Sequence, residues 1–304
     1  MGVSAPAAQR DGADEALEQG GARCSLWWRR VPALGAERLG AIGHFTADSE
    51  SSAALLLEAA CRRLSSEGCT LAIGPMDGST WRPYRLLTER GDRPAFLLEL
   101  DNPDAWPAWW EAAGFSTLAT YRSTVNPELD RPDARLPRAS ARLEALGVKI
   151  RPIDVSSLEA DLKLAFAVAR RAFRNNFLYM PIEESEFLEQ CRGLEPLLRE
   201  GLSALALHGS EPVGLIFAMP DLLQARRGAK VTDYLIKTIA VVPGRAYAGL
   251  GTALMAHSRE LARARGITRA IHALMHDGNH STNVNAEHSR TFRRYALLSR
   301  RLAP

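Results

Sequence analysis

Cysteine is scarce: Cys24, Cys61, Cys69 and Cys191 are the only four in 304 residues, and no two of them form a C-x-x-C pair. This argues against a structural zinc site built on paired thiols. Four scattered thiols in a chain this long also fit a reducing compartment better than a disulfide scaffold. Long apolar runs are missing too. Val213–Met219 is typical of the longest, well short of the ~18–20 residues a membrane helix needs. Lysine is rare, with Lys149, Lys163, Lys230 and Lys237 standing among 38 basic residues. An arginine excess of that kind says little about binding, but a lysine that interrupts an apolar strand, as Lys237 does, is either specific or an ammonium reaching out of the sheet.

What is present is ordinary globular composition, 46% hydrophobic and 24% charged, which excludes a mainly disordered chain or a fibre. At ~150 residues per domain the length suggests two domains. Residues 1–22 are small, polar and charged, and read as a disordered leader. Together with the cysteine usage this predicts a cytoplasmic protein. The net charge is +3 but uneven, with ten Arg in residues 245–304 against Glu260, Asp277 and Glu287. A basic end suggests a polyanionic partner, either nucleic acid or a phosphorylated cofactor. Aromatic residues are not interleaved with those arginines and no nucleic-acid motif is present, so nucleic acid is not expected as a partner, and neither is a membrane.

The stretch Val125–Ala141 is rich in Pro, Asp and Arg and reads as a linker. After it come a strand at Val148–Ile153 and a helix at Leu158–Phe173, its apolar residues at helical spacing. A second helix follows at Glu183–Cys191. Strands at Leu202–Leu207 and Val213–Ala218 are joined by a hairpin turn, and a long strand runs over Val231–Val242. A helix at Gly249–Arg265, a strand at Ala270–His276, a short helix at Asn279–Glu287 and a last strand at Thr291–Arg301 complete the order. Before the linker, strands at Ser25–Arg30 and Arg38–Phe45, a helix at Ser51–Ser66, a strand at Thr70–Ile73, a Trp-rich helix at Asn102–Ala113 and a strand to Ser123 echo the end of that order. An internal structural repeat is the natural reading.

The sharpest signal is Ile239-Ala-Val-Val-Pro-Gly-Arg-Ala-Tyr-Ala-Gly-Leu-Gly-Thr-Ala-Leu254. An apolar strand runs into a Pro/Gly loop, then Gly249-x-Gly251, then an amphipathic helix. Free N–H groups at a helix start, with the positive end of its dipole, suit a pyrophosphate. No Lys-Ser/Thr pair follows the glycines and position 254 is Leu, so neither a nucleotide P-loop nor a dinucleotide fingerprint fits.

In these residues the chain resembles the GNAT superfamily of acyl-CoA-dependent N-acyltransferases. Val241-Val242-Pro243 and Gly249-x-Gly251 match its V-x-P and [Q/R]-x-x-G-x-[G/A] in register, with Ala246 at the Arg/Gln position and Arg245 one residue early. The resemblance covers residues ~148–304. It implies an α/β (α+β) fold with two GNAT-like mixed central sheets, flanked by helices and arranged in tandem. The expected division is a leader at 1–22, a degenerate GNAT-like domain at 23–127, a linker at 128–147 and an acyl-CoA-binding domain at 148–304. The first domain is degenerate because its strand–helix loop lacks glycine and carries Asp48 and Glu50, which would repel phosphate.

The resemblance further implies acetyl-CoA or another acyl-CoA as donor. Ile239, Ala240, Val241, Arg245, Tyr247, Ala248, Gly249, Leu250, Gly251, Thr252 and Asn279 would hold it, and no metal is required. The acyl group, acetyl most simply, would pass to the amine of a small molecule. The alternatives are a non-catalytic acyl-CoA-binding or regulatory protein, or a carrier-protein thioester as donor. His276, Asp233 and Tyr247 are the candidates for acid–base work, because the Tyr that commonly protonates the thiolate in this family falls on Ala286. Asp77, Trp81, Tyr84, Asn176, Phe177 and Tyr179 are the candidates for acceptor binding, with Asp77, Trp81 and Tyr84 suited to a cation-bearing acceptor. A monomer or homodimer is expected.

Overall fold

A computed structural model of the chain describes residues 11–131, 133–198, 201–278 and 289–303. Its frame is two parallel βαβ units. In the first, β3 (Leu39–Thr46) and β4 (Leu71–Gly74) flank helix α1 (Glu50–Ser66); in the second, β10 (Asp233–Val241) and β11 (Arg269–His276) flank helix α8 (Leu250–Ala264). Each is preceded by antiparallel strands. These are β1 (Glu15–Gln19) and β2 (Ala22–Trp27) in the first half, and β7 (Val148–Pro152), β8 (Ala204–His208) and β9 (Glu211–Pro220) in the second. Helix α2 (Trp106–Ala112) and long strand β6 (Ser116–Asn126) end the first half; long strand β12 (Arg290–Arg301) ends the second.

The helices form where the apolar spacing demands. Helix α1 buries Ala53, Leu56, Leu57, Ala60 and Leu64 on one face; each leucine contributes about 1.5–3 kcal/mol of burial. Its start is closed by a capping box between Ser49 and Ser52, an arrangement that stabilises a helix by ~1 kcal/mol. Helix α4 (Leu158–Phe173) buries Leu162, Ala165, Phe166 and Ala169 against β9 and β10. Both carboxylate oxygens of Asp161 pair with Arg151 of β7 at 2.6 Å. Helix α8 lies close to β9 because Gly214 faces Leu250 and Leu254.

The mixed α/β fold with flanking helices is the expected one, but the two half-sheets are joined into one. Twelve strands form a single sheet in the order β1-β2-β3-β4-β12-β6-β11-β10-β9-β8-β7, with β5 (Leu86–Glu89) pairing with β12 beside that path. The last strands are exchanged. Strand β12 lies between β4 and β6, and β6 lies between β12 and β11. Each half therefore completes its sheet with the other's final strand.

Three local expectations change. The segment read as a leader to residue 22 contains β1, whose Glu15–Gln19 pair with β2; the Asp14 carboxylate accepts the Trp28 N–H at 2.7 Å. The segment read as a linker holds helix α3 (Leu136–Ala145), which buries Ala139 and Leu143 and packs on α8. Between α4 and β8 lie α5 (Glu184–Arg192), as expected, and the short α6 (Glu195–Leu198); α7 (Leu222–Arg226) follows β9. The expected helix at Asn279–Glu287 lies outside the described residues.

Candidate active site

Strands β10 and β11 pair only from Asp233↔Arg269 to Ile236↔His272. Beyond that point β10 stays with β9 as far as Val241, its register shifting at Lys237. Strand β11 stays with β6, shifting between His272 and Met275. The shift in β11 is held by Leu274, at φ 59°, whose N–H donates to the Ser123 hydroxyl at 3.0 Å. The two strands therefore diverge, and the β10 backbone past Ile236 has no ladder partner on its β11 side.

A cavity of about 490 Å³ occupies the divergence. Residues 236–239 of β10 and 272–276 of β11 line its base. Its walls are Thr80–Arg85 from the first half, Tyr121 of β6, and Phe173, Asn176, Phe177 and Tyr179 at the end of α4; Met255 of α8 also reaches it. The wall is bound across the halves. Trp81 donates its indole N–H to the Met180 carbonyl at 2.8 Å, and its ring lies 6.1 Å from Phe173 and 6.0 Å from Phe187. Arg82 pairs with Glu186 at 2.9 Å. Phe177 stacks on His276 at 5.3 Å.

Strain gathers at this cavity. Among the described residues five non-glycines have positive φ; Arg85, Leu98 and Leu274 line the cavity, and Leu178 sits between two residues that do. Such conformations cost of order 1–3 kcal/mol each and concentrate at functional sites.

The sequence candidates separate clearly. Trp81, Tyr84, Asn176, Phe177, Tyr179, His276 and Ile239 are brought together here. Asp77 is not: its carboxylate accepts the His44 N–H at 2.6 Å inside the first half. Asp233 is not a base, because it is buried with one oxygen on Arg93 and the other on Arg269. A strand-start aspartate looks solvated in sequence only because its arginines are distant along the chain. Tyr247 is not in the cavity either; its hydroxyl meets His208 Nδ1 at 3.0 Å.

His276 lines the cavity, but its Nδ1 accepts the Gly278 N–H at 3.1 Å. Burial lowers its proton affinity, against Asp277. A neutral ring with Nδ1 engaged carries its proton on Nε2, so of the acid–base roles expected of it His276 presents a donor to the cavity. His272 is buried on the same strand, with burial lowering its proton affinity to about 4. His280, the third member of a spacing that invites a metal, lies outside the described residues, and no cluster able to hold a metal occurs among those that are described.

Arg85 and Lys237 carry more weight in the cavity than their places along the chain suggest. Arg85 is buried, with its guanidinium 3.8 Å from the Tyr84 ring centre and 4.2 Å from that of Tyr121. Its Nη1 donates to the Leu274 carbonyl and its Nε to the Tyr84 carbonyl, both at 3.0 Å. Lys237, at the register shift, is half-buried in the cavity and does not reach out of the sheet. Burial first, then the Arg85 charge, lowers its ammonium to about 8. The signal for Lys237 was its rarity. Arg85 was one arginine among many, and only its place beside Tyr84 in a loop of special residues marked it.

At the end of β10 the chain turns through Arg245–Tyr247 to Gly249, which starts α8 at φ 90° with no side-chain cap. The first N–H groups of α8, on Leu250, Gly251 and Thr252, are left without a capping side chain, beside Arg245 and Ala248, which are exposed. A Cβ on Gly251 would come no nearer than 3.9 Å to Ile239, whereas one on Gly249 would meet Ala139 of α3 at 2.7 Å, and Arg142 of α3 donates to the Ala248 carbonyl; the turn is open at Gly251 and covered by α3 at Gly249. Ala240 and Val241 lie on the β10 stretch between the cavity and the turn. Asn279 lies outside the described residues.

In the first half the matching divergence is filled. Strands β3 and β4 pair only from Leu39↔Leu71 to Ala41↔Ile73. Past them the buried Met76 donates its N–H to the Ile42 carbonyl at 2.8 Å, and Asp77 bonds His44. The N-terminus of α1 is occupied by Ser49 and Ser52.

No protein-family model matches the chain, and no curated protein matches it in sequence. Solved structures do match it in shape. One is the GCN5-related glucosamine N-acetyltransferase region of a fungal multi-domain GH3 β-N-acetylglucosaminidase, 14% identical over 91% of this chain with a TM-score of 0.55; this chain spans 31% of that one. A GCN5-related N-acetyltransferase from Sphaerobacter thermophilus is 13% identical over 93% of this chain and 78% of its own, with a TM-score of 0.53. The chain has the GCN5-related N-acetyltransferase fold. A tandem GNAT protein of clavulanic acid biosynthesis is similar over 98% of this chain and 86% of its own, at 14% identity and a TM-score of 0.50. The likeness in fold thus runs over nearly the whole length of the chain, and no helix among the described residues is long and apolar enough to cross a membrane.

Proposed function

We propose that the chain is an acyltransferase that moves an acyl group, acetyl most simply, from a CoA thioester to the amine of a small molecule. The observation that carries this reading is the divergence of β10 from β11, which opens a lined cavity beside an uncapped helix start. The N–H groups of Leu250, Gly251 and Thr252 would take the pyrophosphate, with Arg245 beside them. The unpaired β10 backbone from Lys237 to Val241 would take the amide-bearing arm. The thioester supplies an activated acyl carbon when bound.

The chain's own contribution is orientation and charge. The Trp81, Tyr84, Phe177 and Tyr179 wall orients the acceptor and excludes water, and His276 presents its Nε2–H as a donor for developing negative charge. The first half is a wall and not a second catalyst, because Met76 and Asp77 fill its slot.

Native mass spectrometry against a panel of acyl-CoAs, with Gly251→Glu as control, tests this. One acyl-CoA per chain, lost in the variant, is expected. A Cβ at position 251 meets nothing nearer than 3.9 Å, and Gly251→Gln, of the same size without the charge, separates repulsion from bulk. No binding by the unaltered protein would overturn the reading.

A further inference from the structure

The charge of the cavity is one-sided. Among the described residues that line it there is no Asp or Glu, yet Arg85 and Lys237 both reach it. Arg82, the third cation, is already neutralised by Glu186 and Asp11. Arg85 has no carboxylate partner: two of its nitrogens bond carbonyls, and Nη2 has no partner among the described residues. No described side chain or carbonyl pairs with the Lys237 ammonium either.

Two cations held in one wall without a counter-charge are costly, because burial strengthens their repulsion. The fold does not relax this cost; it fixes it. Arg85 is held at φ 80°, packed on the Tyr84 and Tyr121 rings and bonded to the Leu274 carbonyl. Lys237 is placed by the register shift of β10. A guanidinium with one nitrogen left unpartnered, lining the same cavity as an ammonium, is a ready receptor for a carboxylate. The surrounding aromatic rings would take the apolar part of the same molecule.

We propose that this cavity takes a carboxylate-bearing reactant, its carboxylate lying between Arg85 and Lys237. This deepens the acyl-transfer reading and rests on it only for the reaction. In that reading the carboxylate belongs either to the acceptor, as in a free amino acid, or to the acyl group, as in a dicarboxylic thioester. It reverses the cationic acceptor that Asp77 suggested. A polycationic amine has no counter-charge here.

Isothermal titration of the full chain with 3-phenylpropionate and with 3-phenylpropylamine tests the receptor itself. The carboxylate is expected to bind and the amine is not. Lys237→Gln should weaken the carboxylate at least about tenfold, as loss of a charged partner does, with Arg85→Lys as the variant that keeps charge but loses the fork. At pH 8.5, in buffers of different ionisation enthalpy, binding should take up part of a proton. An ammonium lowered to about 8 regains its proton when an anion arrives; a purely structural Lys237 would not do this.

Titrations of succinyl-CoA against acetyl-CoA, and acetyl-CoA assays of amino acids against their decarboxylated amines, decide the source. A Lys237-dependent preference for succinyl-CoA assigns the carboxylate to the donor; a preference for amino acids assigns it to the acceptor. Equal or better binding of 3-phenylpropylamine, or an unchanged affinity in Lys237→Gln, overturns the proposal. Acetyl-CoA bound without any carboxylate preference would sink this proposal alone. Carboxylate bound without any acyl-CoA would sink the acyl-transfer reading and leave the receptor standing.

Discussion

Tyr121 of β6 and Tyr295 of β12 are directly opposed in the ladder that joins the two halves, and their hydroxyls have opposite roles. Tyr295 donates to Glu99 at 2.6 Å and meets Ser123 at 3.2 Å, buried behind the wall. Tyr121 instead lines the cavity, its ring edge-on to Tyr84 at 5.5 Å and under Arg85, and its hydroxyl holds no carboxylate among the described residues.

The two Phe variants should therefore differ. Tyr295→Phe leaves the buried Glu99 without one donor and should destabilise the protein by about 1–3 kcal/mol. Tyr121→Phe keeps the ring that packs on Tyr84 and Arg85, so it should cost under about 1 kcal/mol of stability and leave the acceptor KM within about twofold. Urea denaturation and steady-state kinetics separate the two.

Met76→Ala should destabilise the chain by about 2–5 kcal/mol, the range for truncating a fully buried Met. It should not create a second acyl-CoA site, because Ser49 still caps α1. The bound stoichiometry in native mass spectrometry should stay at one.

Stability should fall on mild acidification. His272 is buried, with a folded proton affinity of about 4 against 6.5 when free. A lowered folded value contributes stability above the unfolded value, and that stability is lost as pH falls from 6.5 towards 4. Between pH 7.5 and pH 5 the loss from this group is about 2 kcal/mol. The difference between the wild-type and His272→Gln unfolding curves at the two pH values isolates it.

Residues 11–147 expressed alone should not fold, because β4 and β6 would lack β12 between them. Circular dichroism should show little ordered sheet for this fragment. Adding a peptide of residues 289–303 should restore sheet signal.

Much of the second half was legible because its periods are clean. Leu158–Phe173 reads as a helix from the 3.6 spacing and is one, and Gly249-x-Gly251 marks the turn into α8. Strand β1 was not legible, since Glu15–Gln19 is polar and is defined by pairing with β2. Helix α3 was hidden by the prolines and arginines around it, and shows its reason only in Ala139 packing beside Gly249. The exchange of β6 and β12 left no local trace, because either strand could close either sheet by its own pattern. The aromatic wall of the site was visible as a loop too rich in special residues. The one-sided charge was not, because it depends on which distant carboxylates fail to arrive.

The exchanged strands also decide how a reactant gets in. With β6 stitched into one half and β12 into the other, the halves cannot swing open like a clamshell without breaking ladders in the middle of the sheet. Among the described residues, the segments placed to admit a reactant are short ones: the turn carrying Trp81 and Tyr84, and the one carrying Phe177 and Tyr179. These two turns are tied by the Trp81–Met180 hydrogen bond and the Trp81–Tyr179 ring contact, so neither can move away from the other until both contacts part.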